Sequence, residues 1–159
     1  MRPWTGFRVS MDVKKEGLDM ADEDERPPMR EMRSAECWQK IAQAAYGRIA
    51  TVAAGEMDIF PVNHGVDRHS IVFRTAPGTK LLALTIQHKV LFEVDGVDGE
   101  EAFSVVVRGD ADRVDREPEV EAAERLGVTT WAPGPKNQWV RITPRDIQGR
   151  AFRVPAVGL

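Results

Sequence analysis

The chain has 159 residues, one domain's length by the usual prior, and its 42% apolar and 30% charged residues match a soluble globular protein rather than a fibrous, disordered or membrane one. Twenty-two Lys and Arg against twenty-five Asp and Glu leave a formal charge of -3, which argues against nucleic acid as the main partner. A single Cys37 and three scattered histidines (His64, His69, His88) exclude a disulfide scaffold and a structural zinc site. No apolar run approaches the roughly 18 residues of a membrane span, and the N-terminal stretch has no signal-peptide pattern, so a cytoplasmic protein without a membrane partner is expected.

Residues 1–33 mix charges densely, with the acidic run Asp22 to Glu25 and then Pro27-Pro28, and show no apolar periodicity. Such a segment cannot bury enough apolar surface to offset its ordering entropy, so a flexible tail is expected, anchored only by Trp4 and Phe7 if it covers a partner subunit or an active site. Met11, Met20 and Met29 are alternative starts within it. The folded domain, 34–159, is expected to open at Ser34, a good N-cap, with Cys37, Trp38, Ile41, Ala44 and Ala45 at helical spacing and Gly47 as the stop. The period then changes to short β-rich runs at Gly47 to Ala54, Met57 to His64 and Ser70 to Thr75, parted by turn signals at Gly55-Glu56 and Val66 to Arg68. A helix is expected from Pro77-Gly78-Thr79 through Thr85, and strands at Lys89 to Asp95 and Ala102 to Val114. Pro118 starts a second helix, Glu119 to Leu126, closed by Gly127, and the last strands are Gln138 to Thr143 and Gln148 to Val154. Strands joined mainly by short turns rule against a doubly wound parallel sheet and predict a closed antiparallel barrel with flanking helices.

The segment Phe73-Arg74-Thr75-Ala76-Pro77-Gly78-Thr79-Lys80 has the ingredients of a phosphate site. The Arg74 guanidinium forks onto two oxygens, Thr75 and Thr79 donate from hydroxyls, Lys80 adds a mobile charge and the helix start offers free N–H groups. Neighbouring strand residues face opposite ways, so Arg74 and Thr75 act together only if the strand bends or ends there. Pro61 within Asp58 to His64 requires an edge or a bulge, which would leave main-chain groups of Val62 and Asn63 free for a planar heterocycle, aided by the Asn63 amide. His64 reads as a turn histidine satisfied by water. Trp131, on the rigid loop Trp131 to Pro135, either stacks on a ligand or caps the core. Asp110, Asp112 and Asp115 lack the Gly and Glu offsets of a calcium loop, and no serine or cysteine carries a nucleophile signature.

Glu36-Cys37-Trp38, Gly47-Arg48-Ile49-Ala50, Phe60-Pro61-Val62-Asn63, Val72-Phe73-Arg74-Thr75, Gly78-Thr79-Lys80-Leu81, Phe92 to Asp95, Ser104 to Gly109 and Gly149-Arg150 occur in the order found in one family. Over residues 34 to 154 the chain resembles the pyridoxamine 5'-phosphate oxidase-like family of flavin-binding split barrels. The resemblance implies a mainly β, α+β fold: a six-stranded antiparallel split β-barrel that forms a homodimer with two FMN molecules between subunits. It implies Arg74, Thr75 and Lys80 as phosphate ligands, Pro61, Val62 and Asn63 as the strand along the isoalloxazine ring, and Trp131 as a ring-side wall. The implied activity is an FMN-dependent oxidoreductase acting on a small-molecule substrate, with a deazaflavin-dependent reductase or nitroreductase, or a flavin- or haem-binding sensor or storage dimer, as alternatives. The chain departs from the family pattern at His64-Gly65, Phe103 and Ala151, positions expected to line the substrate side, and it has no second basic set for a substrate phosphate.

Overall fold

The computed structural model describes residues 28–154 apart from 132, 135 and 136, and without the side chains of Thr79 and Leu82. Trp4, Phe7, Met11 and Met20 lie outside the described residues. A short strand, β1 (Arg30–Met32), precedes helix α1 (Ser34–Gln43), so three residues that the sequence assigns to the tail belong to the folded domain. α1 buries Cys37, Trp38 and Ile41 on one face, as their spacing dictates. Its N-cap is Arg33 rather than Ser34 and makes no side-chain bond, and the helix ends at Gln43, before Gly47. Gly47 instead sits in strand β2 (Tyr46–Ala53), where a β-carbon would lie 2.3 Å from Phe92 Cζ and 2.8 Å from the Glu93 carbonyl oxygen. The signal read as a helix stop is a close approach of two strands.

β2 pairs with β3 (Glu56–Asp67), and β3 with β4 (Ser70–Thr75), through two-residue turns. Both turn residues have positive φ in each case: 52° and 83° at Ala54 and Gly55, 48° and 59° at Arg68 and His69. That geometry matches the twist of adjacent strands and places each turn slightly away from its sequence signal. α2 (Thr79–Gln87) leads to β5 (Lys89–Asp98), β6 (Glu101–Val114) and α3 (Glu117–Glu124), which starts two residues earlier than expected with Pro118 in its first turn. The two expected C-terminal strands are one, β7 (Gln138–Arg153). Its register against β6 jumps from Arg108↔Asp146 to Gly109↔Pro144, so Arg145 is bulged out. The bulge turns a corner, and β7 can pair with β4 by its first half and with β6 along nearly its whole length.

The strands close a ring in the order β7-β4-β3-β2-β5-β6, with β6 returning to β7, and β1 adds to β7 outside it. This is the six-stranded antiparallel split barrel, in which each ring strand pairs with two neighbours over at least part of its length. Its interior holds Ile41, Ile49, Ile71, Phe73, Phe92, Val105, Val107 and Ile142, all fully buried. Each contributes about 1.5–3 kcal/mol relative to exposure. A second, smaller core under α3 packs Val72, Val114, Ala123 and Trp139 against Leu126 and Val128. Arg30 ties β1 to the barrel, donating to Glu101 at 2.7 Å and to Glu36 at 2.6 Å, and this holds the Glu36 carboxyl below the usual carboxylate range. Among the described residues no helix is long and apolar enough to cross a membrane.

Candidate functional site

Strand β3 changes partners halfway. Residues 56–63 pair with β2, and His64 to Asp67 pair with β4. After His64↔Phe73 the two strands part, and Arg74 and Thr75 pair only with Trp139 and Gln138 of β7. A seam therefore opens between the Pro61–Asn63 stretch and the end of β4. The register runs unbroken through Arg48↔Pro61, so Pro61 sits in the half of β3 with one partner and makes no bulge.

β4 ends at Thr75, which satisfies the condition for Arg74 and Thr75 to serve one ligand. The Arg74 guanidinium rests 5.0 Å from the Trp139 ring centre, and Thr75 is buried with its hydroxyl 3.4 Å from the Ala76 carbonyl oxygen. α2 begins at Thr79 with no side-chain cap, so its first N–H groups face the turn after β4. Lys80 reaches across the seam, its ammonium 4.0 Å from the centre of the Phe60 ring on β3. The Thr79 hydroxyl lies outside the described atoms.

Asn63 joins two protein segments: its Nδ2 donates to the Ala45 carbonyl at 3.0 Å and its Oδ1 accepts the Trp131 main-chain N–H at 2.9 Å. Trp131 does not cap the core: it is 65% exposed and tilts at 59° against Tyr46, ring centres 5.4 Å apart. Tyr46 is opposite Asn63 in the β2–β3 ladder, so both side chains share the outer face.

His64 is not in a turn. It continues the inward alternation of Phe60 and Val62, donates from Nε2 to the Ile41 carbonyl at 2.8 Å and stands edge-on to Phe92 at 4.9 Å. Its Nδ1 is buried with no partner, and burial pushes its pKa down. That alternation was the sequence signal for a core histidine, obscured by the turn-like residues Asn63 and Gly65 on either side. Ala151 is fully buried, opposite Phe103 and Arg30, and Phe103 lies 4.7 Å under the Lys40 ammonium; Ala151 is barrel packing, not a substrate-side residue. Asp110 and Asp115 are ion-paired with Arg145 and Arg113, and an Asp112 carboxylate oxygen lies 3.3 Å from His88 Nδ1. Among the described residues no three acidic, His or Cys side chains cluster to hold a metal.

The outer face of β3, β2 and β5 carries two further features that the sequence reading missed. Arg48, opposite Pro61, bonds Asp95 at 2.7 Å and Glu93 at 3.1 Å, and burial with the Asp95 charge pushes the Glu93 pKa up. Beyond this belt Ile59, Ala50 and Leu91 form one row and Met57 and Val52 the next, with Met57 82% and Ile59 65% exposed. Ala50, Val52, Met57 and Leu91 border a cavity of about 290 Å³ rimmed by Lys89, Arg108 and Arg145.

Comparison with known proteins places the chain. A structure from Corynebacterium glutamicum, provisionally named a pyridoxamine 5'-phosphate oxidase, is 39% identical and superposes with a TM-score of 0.74 over 80% of this chain and 100% of its own. An FAD-binding protein from Mycobacterium smegmatis is 38% identical, with a TM-score of 0.68, over 79% of this chain and 100% of its own. An uncharacterized protein of Mycobacterium tuberculosis is 35% identical over 88 residues, 55% of this chain and 80% of its own. The sequence profile of one family matches residues 33–151. The chain belongs to the pyridoxamine 5'-phosphate oxidase family.

Proposed function

We propose that the protein is a flavin-dependent oxidoreductase that holds FMN in the opened seam between β3 and β4, at the interface of a cytoplasmic homodimer. The observation that carries this reading is the seam itself. One wall offers the main chain of Pro61, Val62 and Asn63; the other ends in Arg74 and Thr75 and turns into the uncapped start of α2, with Lys80 bridging to β3. These donors fit a phosphate dianion, and a strand edge fits the polar rim of a planar tricyclic ring. Bound there, the flavin supplies hydride or electron transfer. The chain's part is to bind and orient it: Arg74, Thr75, Thr79 and Lys80 at the phosphate, 61–63 along the ring, and Trp131 at its side. The name of the Mycobacterium smegmatis relative supports a flavin. The exposed Met57, Ile59 and Leu91 face is too apolar to suit a monomer surface and supports a second copy as its cover.

The test is an absorption spectrum of the purified chain, then release and mass determination of any bound chromophore, repeated on the Arg74→Ala, Lys80→Ala double variant. Flavin bands with the mass of FMN are expected, together with a loss of about 100-fold or more in FMN affinity in the variant, since two charge-assisted contacts of about 1.5–3 kcal/mol each are removed. Full flavin content in a folded double variant overturns the phosphate assignment. A colourless chain that takes up only a deazaflavin, or the mass of FAD, overturns FMN.

A further inference from the structure

We propose that Asn63 is a positioning residue that presets the Tyr46–Trp131 pair as a platform for the planar, non-anionic ring of the substrate. The identity of the reaction rests on the flavin reading above; the positioning rests on geometry alone. Both ends of the Asn63 amide are committed: Nδ2 to the Ala45 carbonyl, just before β2 and Tyr46, and Oδ1 to the Trp131 N–H. One side chain thereby fixes the two segments that carry the two rings. The rings meet at 5.4 Å and 59° yet remain 43% and 65% exposed, so they brace each other while leaving faces open to solvent. Trp38 and Trp139, by contrast, are 8% and 4% exposed. Large aromatic faces held rigid but left uncovered suit a planar ligand. The cation in the next register row, Arg48, is already bonded to Glu93 and Asp95, so it gives an anionic substrate no advantage. Tyr46 lies on the same sheet face as Pro61, directly across the ladder from Asn63 of the proposed flavin strand.

The full chain is labelled with 5-fluorotryptophan, and the Trp131 fluorine signal is assigned by its absence in Trp131→Phe. Asn63→Ala should shift and narrow that signal toward free tryptophan. Asn63→Asp, which keeps an acceptor for the Trp131 N–H, should hold it in place. An unmoved Trp131 signal in a folded Asn63→Ala chain overturns the positioning role. In the flavin-loaded chain, photoreduced flavin is then reoxidised by menadione, a flat quinone that takes two electrons and two protons, or by ferricyanide, two ions of which take one electron each and offer no ring to stack. Asn63→Ala and Trp131→Ala should each raise the half-saturating menadione concentration about three- to ten-fold beyond any change the same variant shows in its ferricyanide rate. An unchanged menadione saturation, or equal losses with both acceptors, overturns the platform. Should the wild-type chain take up no flavin, the flavin reading falls by itself. Menadione titrated into the unloaded chain then decides the platform: a saturable shift of the Trp131 signal supports it, and no shift overturns it.

Discussion

Replacing His64 by Phe removes a titratable group from between Phe92 and the end of α1, and the structure sets both the size and the pH dependence of the effect. The variant loses the Nε2–H bond to the Ile41 carbonyl, but that carbonyl still accepts the Ala44 N–H at 3.3 Å and is not orphaned. The variant also removes Nδ1, which is buried without a partner, a defect that costs about 1–3 kcal/mol. The ring contact with Phe92 survives as an aromatic pair. Near neutral pH the two terms oppose each other, and the net change is expected within about 2 kcal/mol. Acid separates the proteins. Burial holds the folded His64 pKa below the ordinary value of about 6.5, so as pH falls the unfolded chain takes up the proton first. Wild-type stability from this group is fully present above the unfolded value and drains as pH falls toward the folded one, at up to about 1.4 kcal/mol per pH unit. Urea unfolding of both proteins between about pH 7.5 and about pH 5.5 should show the difference moving in favour of Phe by about 1 kcal/mol. Parallel pH profiles would refute the buried, neutral imidazole.

Gly47→Ala should lower stability by about 1–3 kcal/mol, because its β-carbon meets the fully buried Phe92 ring at 2.3 Å and the Glu93 main-chain oxygen at 2.8 Å; an unchanged urea midpoint would contradict the strand approach. Arg30→Ala cuts the ties of β1 to Glu36 and Glu101, so hydrogen exchange should quicken at Arg30–Met32 while Val105 and Val107 stay protected. Cys37 is buried and its thiol pKa is pushed up by that burial, so it should react with a thiol reagent only as fast as the domain opens; rapid labelling of the native chain would place it elsewhere.

The barrel was legible because its strands alternate in and out with turns of two residues between them, a pattern that local chemistry alone produces. What local chemistry does not carry is where a ladder changes partners. The single strand β7 looked like two because Pro144, Arg145 and Asp146 resemble a turn, whereas in three dimensions they form a bulge that lets one strand serve β4 and β6 together. β1 was unreadable for a related reason. Three residues have no periodicity to detect, and their strand exists because β7 presents an edge and Arg30 finds Glu36 and Glu101, partners six and seventy-one residues away.

The candidate site divides along the same line. Arg74, Thr75 and the start of α2 are contiguous in the chain, so strand end, turn and helix start could be assembled from sequence order, and the structure places β4's last residue at Thr75 as that assembly requires. Asn63 was read as a ligand-facing amide because an amide can both donate and accept. Its partners in the structure, Ala45 and Trp131, are eighteen and sixty-eight residues distant, and an amide bonded at both ends across such separations looks identical in sequence to one left open. The same ambiguity explains His64: a polar residue beside Asn and Gly suggests a turn until the inward parity of Phe60 and Val62 is carried one step further. Parity is therefore the stronger signal at such positions, since slipping it by one residue would expose the buried Val62, at about 1.5–3 kcal/mol, together with the part-buried Phe60, whereas burying one neutral imidazole with a single good bond leaves one unmet acceptor at about 1–3 kcal/mol.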